Sequence, residues 1–366
     1  MVKLKRVDDN YKYYIDGLKG VACFFIMIGH FLGIYKYSEN FPEDIVALNR
    51  LLTSKFSFLL NEGWWLYLFF VVSGYLVGKS TVRTIKDLLV RCVKRILRFV
   101  LPISFSYFII YIIYVTVGFH TVETRELLQC SWYQNFYAGN YSIKDFILGA
   151  YSVLVKGNAG LDGPFWVLKN MFISSIIIYF LRYCFEKIKD SKWNALVCSV
   201  LIVIIGTTLR ISPMITACLM GMFIAFYEHS GIETKTYFAF WSMALAMLLY
   251  ILPHEIISAV FFCTLIIFVP RVQWANNMLS SSVFCFLGRI SWGIYSLHWP
   301  LYGSVGALLL VRLSGLISVK KAYGVTFLIM ILLSLILATI YFYTFEKLTS
   351  YILKKIDYYL KNELKR

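Results

Sequence analysis

The stretch YYIDGLKGVACFFIMIGHFLG, residues 13–33, decides how this chain is read. It is apolar over about the 20 residues that a helix needs to cross a hydrocarbon core, yet it carries Lys19 near one end and His30 near the other. An ionisable side chain inside such a span is costly to bury and calls for a functional explanation. Lys19 and His30 are separated by about 1100° of helical turn, so they share one face to within about 20° and stand about 16 Å apart along the axis. Lys19 can snorkel to the boundary, but His30 is too deep to do so, and an imidazole exchanges a proton near neutral pH. The structural alternative for His30 is a satisfied hydrogen bond between helices.

Working outward, the rest of the chain has the same character. Of 366 residues, 59% are hydrophobic and only 15% charged, against about a quarter charged in soluble domains. About ten apolar runs reach spanning length. They are Ile15–Tyr35, Phe58–Gly78, Phe99–Phe119, Phe165–Leu181, Ala195–Leu209, Met214–Tyr227, Tyr237–Leu252, Ile256–Val269, Phe284–Val311 and Tyr323–Phe345, the ninth with a kink expected at Pro300. The expected fold is an all-α polytopic bundle of about ten transmembrane helices. Placing both termini in the cytoplasm puts about 24 basic loop residues inside against about 10 outside, as the positive-inside rule requires. The first run follows a polar leader with Asp8, Asp9 and Asp16 and is read as an uncleaved anchor. The net charge of +16 then belongs to segments that meet lipid headgroups and anionic cytoplasmic ligands, and no nucleic acid is needed to explain it. The eight cysteines form no CxxC pair and lie mostly in spans, so they read as packing residues; no metal site is expected. No internal repeat or appended soluble domain is seen, and residues 1–366 are read as one domain. It includes a basic amphipathic helix at 80–98 and an outer loop at 120–163, in which Ile143–Val155 is amphipathic.

Three more segments carry polar chemistry. In KSTVRTIKDLLVRCVKRILRF, residues 79–99, Arg91, Lys94, Arg95 and Arg98 form one helical stripe. Such a stripe either anchors the chain to headgroups or clamps a polyanionic ligand, for which arginine forks suit phosphates. In GRISWGIYSLHWP, residues 288–300, Arg289 suits a carboxylate or an anion, and His298 beside Trp299 reads first as a packing histidine. In GPFWVLKNMF, residues 163–172, Trp166 suits an interfacial aromatic belt, with Lys169 and Asn170 just inside.

Together these segments resemble acyltransferase family 3, whose bacterial members include O-acetyltransferases of surface polysaccharides. The matching stretches are IDGLKGVACFFIMIGH (15–30), LFFVVSGYLVGKS (68–80), RCVKRILRFVLP (91–102) with Arg-x-x-Arg at Arg95 and Arg98, and LGRISWGIYSLHWP (287–300). Two departures stand out: Lys19 replaces the family's usual arginine, and no glutamate follows the tryptophan of the fourth span. The resemblance implies an integral protein of the bacterial cytoplasmic membrane that moves an acyl group, most often acetyl, from cytoplasmic acyl-CoA. The acceptor is a hydroxyl of a cell-surface glycan or its lipid-linked precursor. It implies Arg95 and Arg98, supported by Arg91 and Lys94, on the phosphates of the donor, with Lys19 or Arg289 as further contacts. His30 then serves as general base, or alternatively as the site of an acyl-histidine intermediate. Ser73, Trp166 and His298 are candidate substrate or oxyanion contacts. The rival class, a transporter or flippase of lipid-linked sugar, shares the span count but calls for inverted repeats that the sequence does not show.

Overall fold

The computed structural model describes residues 12–36, 60–128, 136–187, 197, 201, 212–229 and 254–363. The expected spans Ala195–Leu209 and Tyr237–Leu252 lie, apart from Val197 and Leu201, outside the described residues. The described residues are helical, with no strand among them. The principal helices are α1 (Tyr13–Lys36), α2 (Glu62–Gly78), α3 (Ile85–Thr116), α4 (Leu168–Phe185), α5 (Pro213–His229), α6 (His254–Phe268), α7 (Gln273–Leu279), α8 (Ser282–Arg289), α9 (Ser291–Leu301), α10 (Ala307–Ser314), α11 (Val319–Tyr341) and α12 (Lys347–Glu363). Among the described residues, five segments are long and apolar enough to cross a membrane: Tyr13–Ile34, Ile85–Thr116, Gly163–Phe185, Ser291–Ser314 and Val319–Tyr359. The pair Ile257–Arg271 and Gln273–Leu279 passes only as a span broken by a bend of 104°, and Pro213–Glu228 is a shorter apolar helix.

Three boundaries differ from the sequence reading, each for a local reason. The basic stretch and the third span form one 32-residue helix, because Thr84 and Asp87 close a capping box at its start and nothing breaks it before the lipid-facing part. The ninth span does not run unbroken from Phe284. α8 stops at Arg289, Ile290 leaves the helical region with ψ 3°, and the Ser291 hydroxyl donates to Gly288 O at 2.8 Å. Gly288, at this break, lies so close to the start of α1 that a Cβ there would stand 2.0 Å from Asp16 O. Finally, α11 continues through a π-turn, Phe342–Glu346, into α12.

The core lies where α1, α2 and α9 meet. Every residue of α9 except Trp292 is buried. Hydroxyls from later helices donate to α1 carbonyls: Tyr302 to Met27 O at 3.1 Å and Tyr323 to Phe31 O at 2.5 Å. Such bonds, rather than hydrophobicity alone, hold helices together in lipid. α2 and α5 cross through glycines, since a Cβ on Gly74 would fall 1.8 Å from Cys218 O and one on Gly221 2.0 Å from Val71 O.

The bundle has two unlike ends. At the basic end, Lys12 before α1 pairs with Glu228 of α5 at 2.5 Å, and Glu228 also accepts from Tyr75 at 2.7 Å. At the opposite end, the segment following α3 folds over α9 and its continuation, with His120 N donating to Gly303 O at 2.9 Å. This loop end includes the short helices Arg125–Leu128 and Ile143–Ile147.

Candidate functional site

His30 and His298 meet although 268 residues separate them, with Nδ1 of His30 2.8 Å from Nε2 of His298. Their rings are parallel to within 6° and their centroids are 5.1 Å apart, which is the geometry of two rings edge to edge in one plane sharing an in-plane hydrogen bond. His298 is fully buried, and its Nδ1 lies 2.8 Å from Ile294 O, one turn back on α9.

The hydrogen-bond network assigns the tautomers. A carbonyl oxygen only accepts, so His298 Nδ1 carries the hydrogen and donates to Ile294 O. His298 Nε2 is therefore a lone pair, and His30 Nδ1 must donate to it. That leaves the lone pair of His30 on Nε2, which bonds to no described residue. Two neutral imidazoles in series thus present one basic nitrogen. Among the described residues no carboxylate pairs with either ring; the one histidine ion pair is His120 with Glu123.

Aromatic rings fix this pair. Trp299 sets its edge against His30 at 5.5 Å and 69°, and Phe136 from the loop packs on Trp299 at 5.0 Å and 79°. Tyr302 closes on His298 at 5.8 Å. The π-turn Tyr302–Gly306 begins two residues after Pro300, at the place where the sequence predicts a kink. It re-registers the helix immediately beyond the histidine, as such turns commonly do at functional sites.

The other expected site residues gather at the basic end. α1 and α2 run antiparallel, since Gly29 abuts Leu60 while Lys12 and Tyr75 meet at Glu228. Ser73 therefore lies near the level of Gly17, on the order of 20 Å from His30 along the axis. There its hydroxyl accepts from Arg95 at 2.8 Å, while Ser175 of α4 accepts from the same guanidinium at 2.7 Å. Arg95 also lies over the Phe99 ring at 4.8 Å. So the basic stripe divides. Arg95 turns into the bundle; Lys94 pairs with Asp357 of α12 at 2.7 Å; Arg91 reaches Thr81 O at 3.4 Å; and Arg98 is exposed.

Lys19 pairs with Asp16 at 2.6 Å, one turn earlier on α1, and is close enough to Glu346 to act on its charge. Asp16, Lys19 and Arg289 all surround Cys285. Beside Glu346 opens a cavity of about 290 Å³ lined by Phe342, Glu346, Lys347, Ser350, Tyr351 and Lys354. α3 and α12 are antiparallel, with Lys94 opposite Asp357 and Phe105 against Phe345 at 4.8 Å, so Arg98 stands at the level of Leu353 and Lys354. Trp166 is 50% exposed and forms no part of the histidine cluster. No group of three or more His, Cys, Asp or Glu side chains among the described residues could hold a metal ion.

Sequence reasoning missed Asp16 as the partner of Lys19, although the i, i+3 spacing carried that signal. It also missed Glu346, one residue beyond the expected end of the last span, and Asp162 in the loop, for which no local pattern exists.

Comparison with known proteins agrees with this geometry on one point. No curated protein and no solved structure matches the chain. A family model described as an acyltransferase domain matches residues 12–345, a stretch that holds both histidines and the divided arginine stripe. This multi-pass membrane protein therefore belongs to acyltransferase family 3.

Proposed function

We propose that the protein is an acyl-CoA-dependent O-acyltransferase in which Nε2 of His30 is the base and His298 holds that base in the right tautomer. The basic end faces the cytoplasm with both termini, as the charge distribution of the loops requires, and the acyl donor docks there. The acceptor is a hydroxyl of a cell-surface glycan or its lipid-linked precursor, reached from the loop end. The observation that supports this reading is the Nε2 lone pair of His30, which no described residue engages and which follows from the hydrogen bonds of His30 Nδ1 and His298 Nδ1.

The donor's phosphates bind to Lys347 and Lys354, which line the cavity at the basic end, and to the exposed Arg98 at the same level, while Arg95 is engaged by Ser73 and Ser175. The thioester then extends along the face of α1 that runs from Lys19 to His30. His30 Nε2 takes the proton of the acceptor hydroxyl as its oxygen attacks the thioester carbonyl. The new C–O bond forms, the C–S bond breaks, and the imidazolium returns its proton to the departing thiolate. As His30 gains charge on Nε2, its Nδ1–H bond to His298 strengthens, and His298 passes the polarisation to Ile294 O. A chain of neutral groups suits a site in lipid, where a fixed carboxylate would itself be costly.

The test is transfer of labelled acetyl from acetyl-CoA to a glycan by protein in lipid nanodiscs. His30→Ala is expected to lower transfer by at least about a thousandfold. Full activity in that variant would remove His30 from the chemistry.

A further inference from the structure

Asp162 lies in the loop just before α4, fully buried, and neither of its carboxyl oxygens has a hydrogen-bond partner among the described residues. Donors are close by, yet they are directed elsewhere. Tyr107 donates to Ala159 O at 3.0 Å, Tyr137 to Leu161 O at 2.6 Å, and Tyr295 to Pro164 O. Three phenols from three parts of the chain thus fix the backbone on both sides of Asp162 and bypass the carboxylate between them. Tyr107 and Tyr295 are also the titratable groups that feel its charge, and no cation opposes it among the described residues.

A buried carboxyl with no partner is among the most expensive things a fold can contain. Burial alone raises this one well above the usual carboxylate range. If Asp162 only shaped the turn, leucine of the same outline would do so at lower cost. The missing partner is a hydrogen-bond donor that arrives from outside.

Its position says which donor. At the adjacent residue, Gly163, a Cβ would stand 3.0 Å from Trp299 Nε1 and 3.2 Å from Phe136, and Trp299 is the ring set against His30. Asp162 is therefore the sequence neighbour of a glycine packed on the aromatic wall of the histidine site, where Phe136 meets Trp299. Flat apolar faces beside a hydrogen-bond acceptor suit a ring that has both apolar C–H faces and hydroxyl edges.

We infer that Asp162 binds a second hydroxyl of the acyl acceptor while His30 engages the hydroxyl that reacts. This rests on the acyl-transfer reading above. It makes Asp162 an acceptor-binding residue with no part in donor binding.

The experiment uses full-length protein in nanodiscs, labelled acetyl-CoA, and as acceptors a panel of methyl glycosides together with a lipid-linked glycan fraction. Asp162→Leu is expected to raise the acceptor KM about ten- to a hundredfold, leave the acetyl-CoA KM unchanged, and keep or raise the thermal midpoint. Asp162→Asn, which retains one acceptor oxygen, falls between. A deoxy acceptor that lacks the hydroxyl held by Asp162 is used equally by wild type and Asp162→Leu. An acceptor KM within twofold of wild type overturns the assignment, as does a lowered midpoint with donor and acceptor KM rising together, which marks a structural carboxyl. If wild type labels no acceptor and His30→Ala behaves identically, the acyl-transfer reading itself has failed, and with it this inference. Transfer by wild type with an unchanged KM in Asp162→Leu removes only the role of Asp162.

Discussion

The histidine pair and the basic end handle polarity in opposite ways. At the histidine pair, two uncharged rings satisfy each other through a 2.8 Å bond and end on a backbone carbonyl, with no ion pair among the described residues. At the basic end, ions are matched by ions: Lys12 with Glu228, Lys19 with Asp16, Lys94 with Asp357. The difference follows from the solvent. Water at the membrane boundary tolerates charge and an ion pair there is worth little, whereas within the bilayer an uncompensated charge is prohibitive and a neutral hydrogen-bonded chain is not. A reaction that must create charge transiently is better placed on the neutral chain, and a ligand that arrives charged is better met at the ionic end.

The comparison is broken most severely at His298. His298→Phe keeps an aromatic ring in the buried site and removes the acceptor for His30 Nδ1–H, so the tautomer of His30 is no longer fixed. The expected result is a fall in kcat of about a hundredfold, the usual scale for general-base positioning, with the donor KM unchanged and the loss insensitive to salt. A KM effect without a kcat effect would return His298 to the role of a packing residue. A smaller effect is expected at the ionic end. Arg98→Ala combined with Lys354→Ala should raise the acetyl-CoA KM about tenfold, more at low ionic strength than at high, with kcat preserved. Arg95→Ala differs from both, because it strips Ser73 and Ser175 of their shared donor and should cost stability of about 1–3 kcal/mol, read as a lower thermal midpoint.

How far the sequence reveals this arrangement depends on the range of each signal. Lys19 and His30 were legible as one face because helical phase is local. The His30–His298 bond was not, since nothing in either segment encodes a partner 268 residues away. The stripe Arg91, Lys94, Arg95 and Arg98 was legible as a face. Its division was not, because Arg95 and Arg98 differ by only about 60° of helical phase, and the serines that draw Arg95 inward come from two other helices. The break at Ile290 escaped because hydropathy is continuous from Phe284 to Val311, and neither the non-helical ψ of Ile290 nor the close approach of Gly288 to the backbone of Asp16 is recorded in composition. Asp162 is the extreme case: a single acid in a loop, ordinary in sequence, becomes costly only after folding buries it.

That cost gives the smallest and most specific test of the contrast, because among the described residues of the loop end Asp162 is a carboxyl that breaks the rule of neutral, satisfied groups. Burial raises its folded-state pKa above the unfolded value of about 4. Between those two values the native state keeps a proton that the unfolded chain has released, so stability falls as pH rises through that interval and stays lowered above it. Below the unfolded pKa the penalty is absent. Asp162→Leu lacks the titrating group, so its thermal midpoint should match that of wild type, apart from a constant offset, in acid and gain on it as pH rises from about 4 towards neutrality. A pH-independent difference would mean that Asp162 acquires a compensating donor in the folded protein even without an acceptor. Saturating acceptor should narrow the gap at neutral pH in wild type alone, because the ligand binds only the native state and supplies the hydroxyl that the carboxylate lacks.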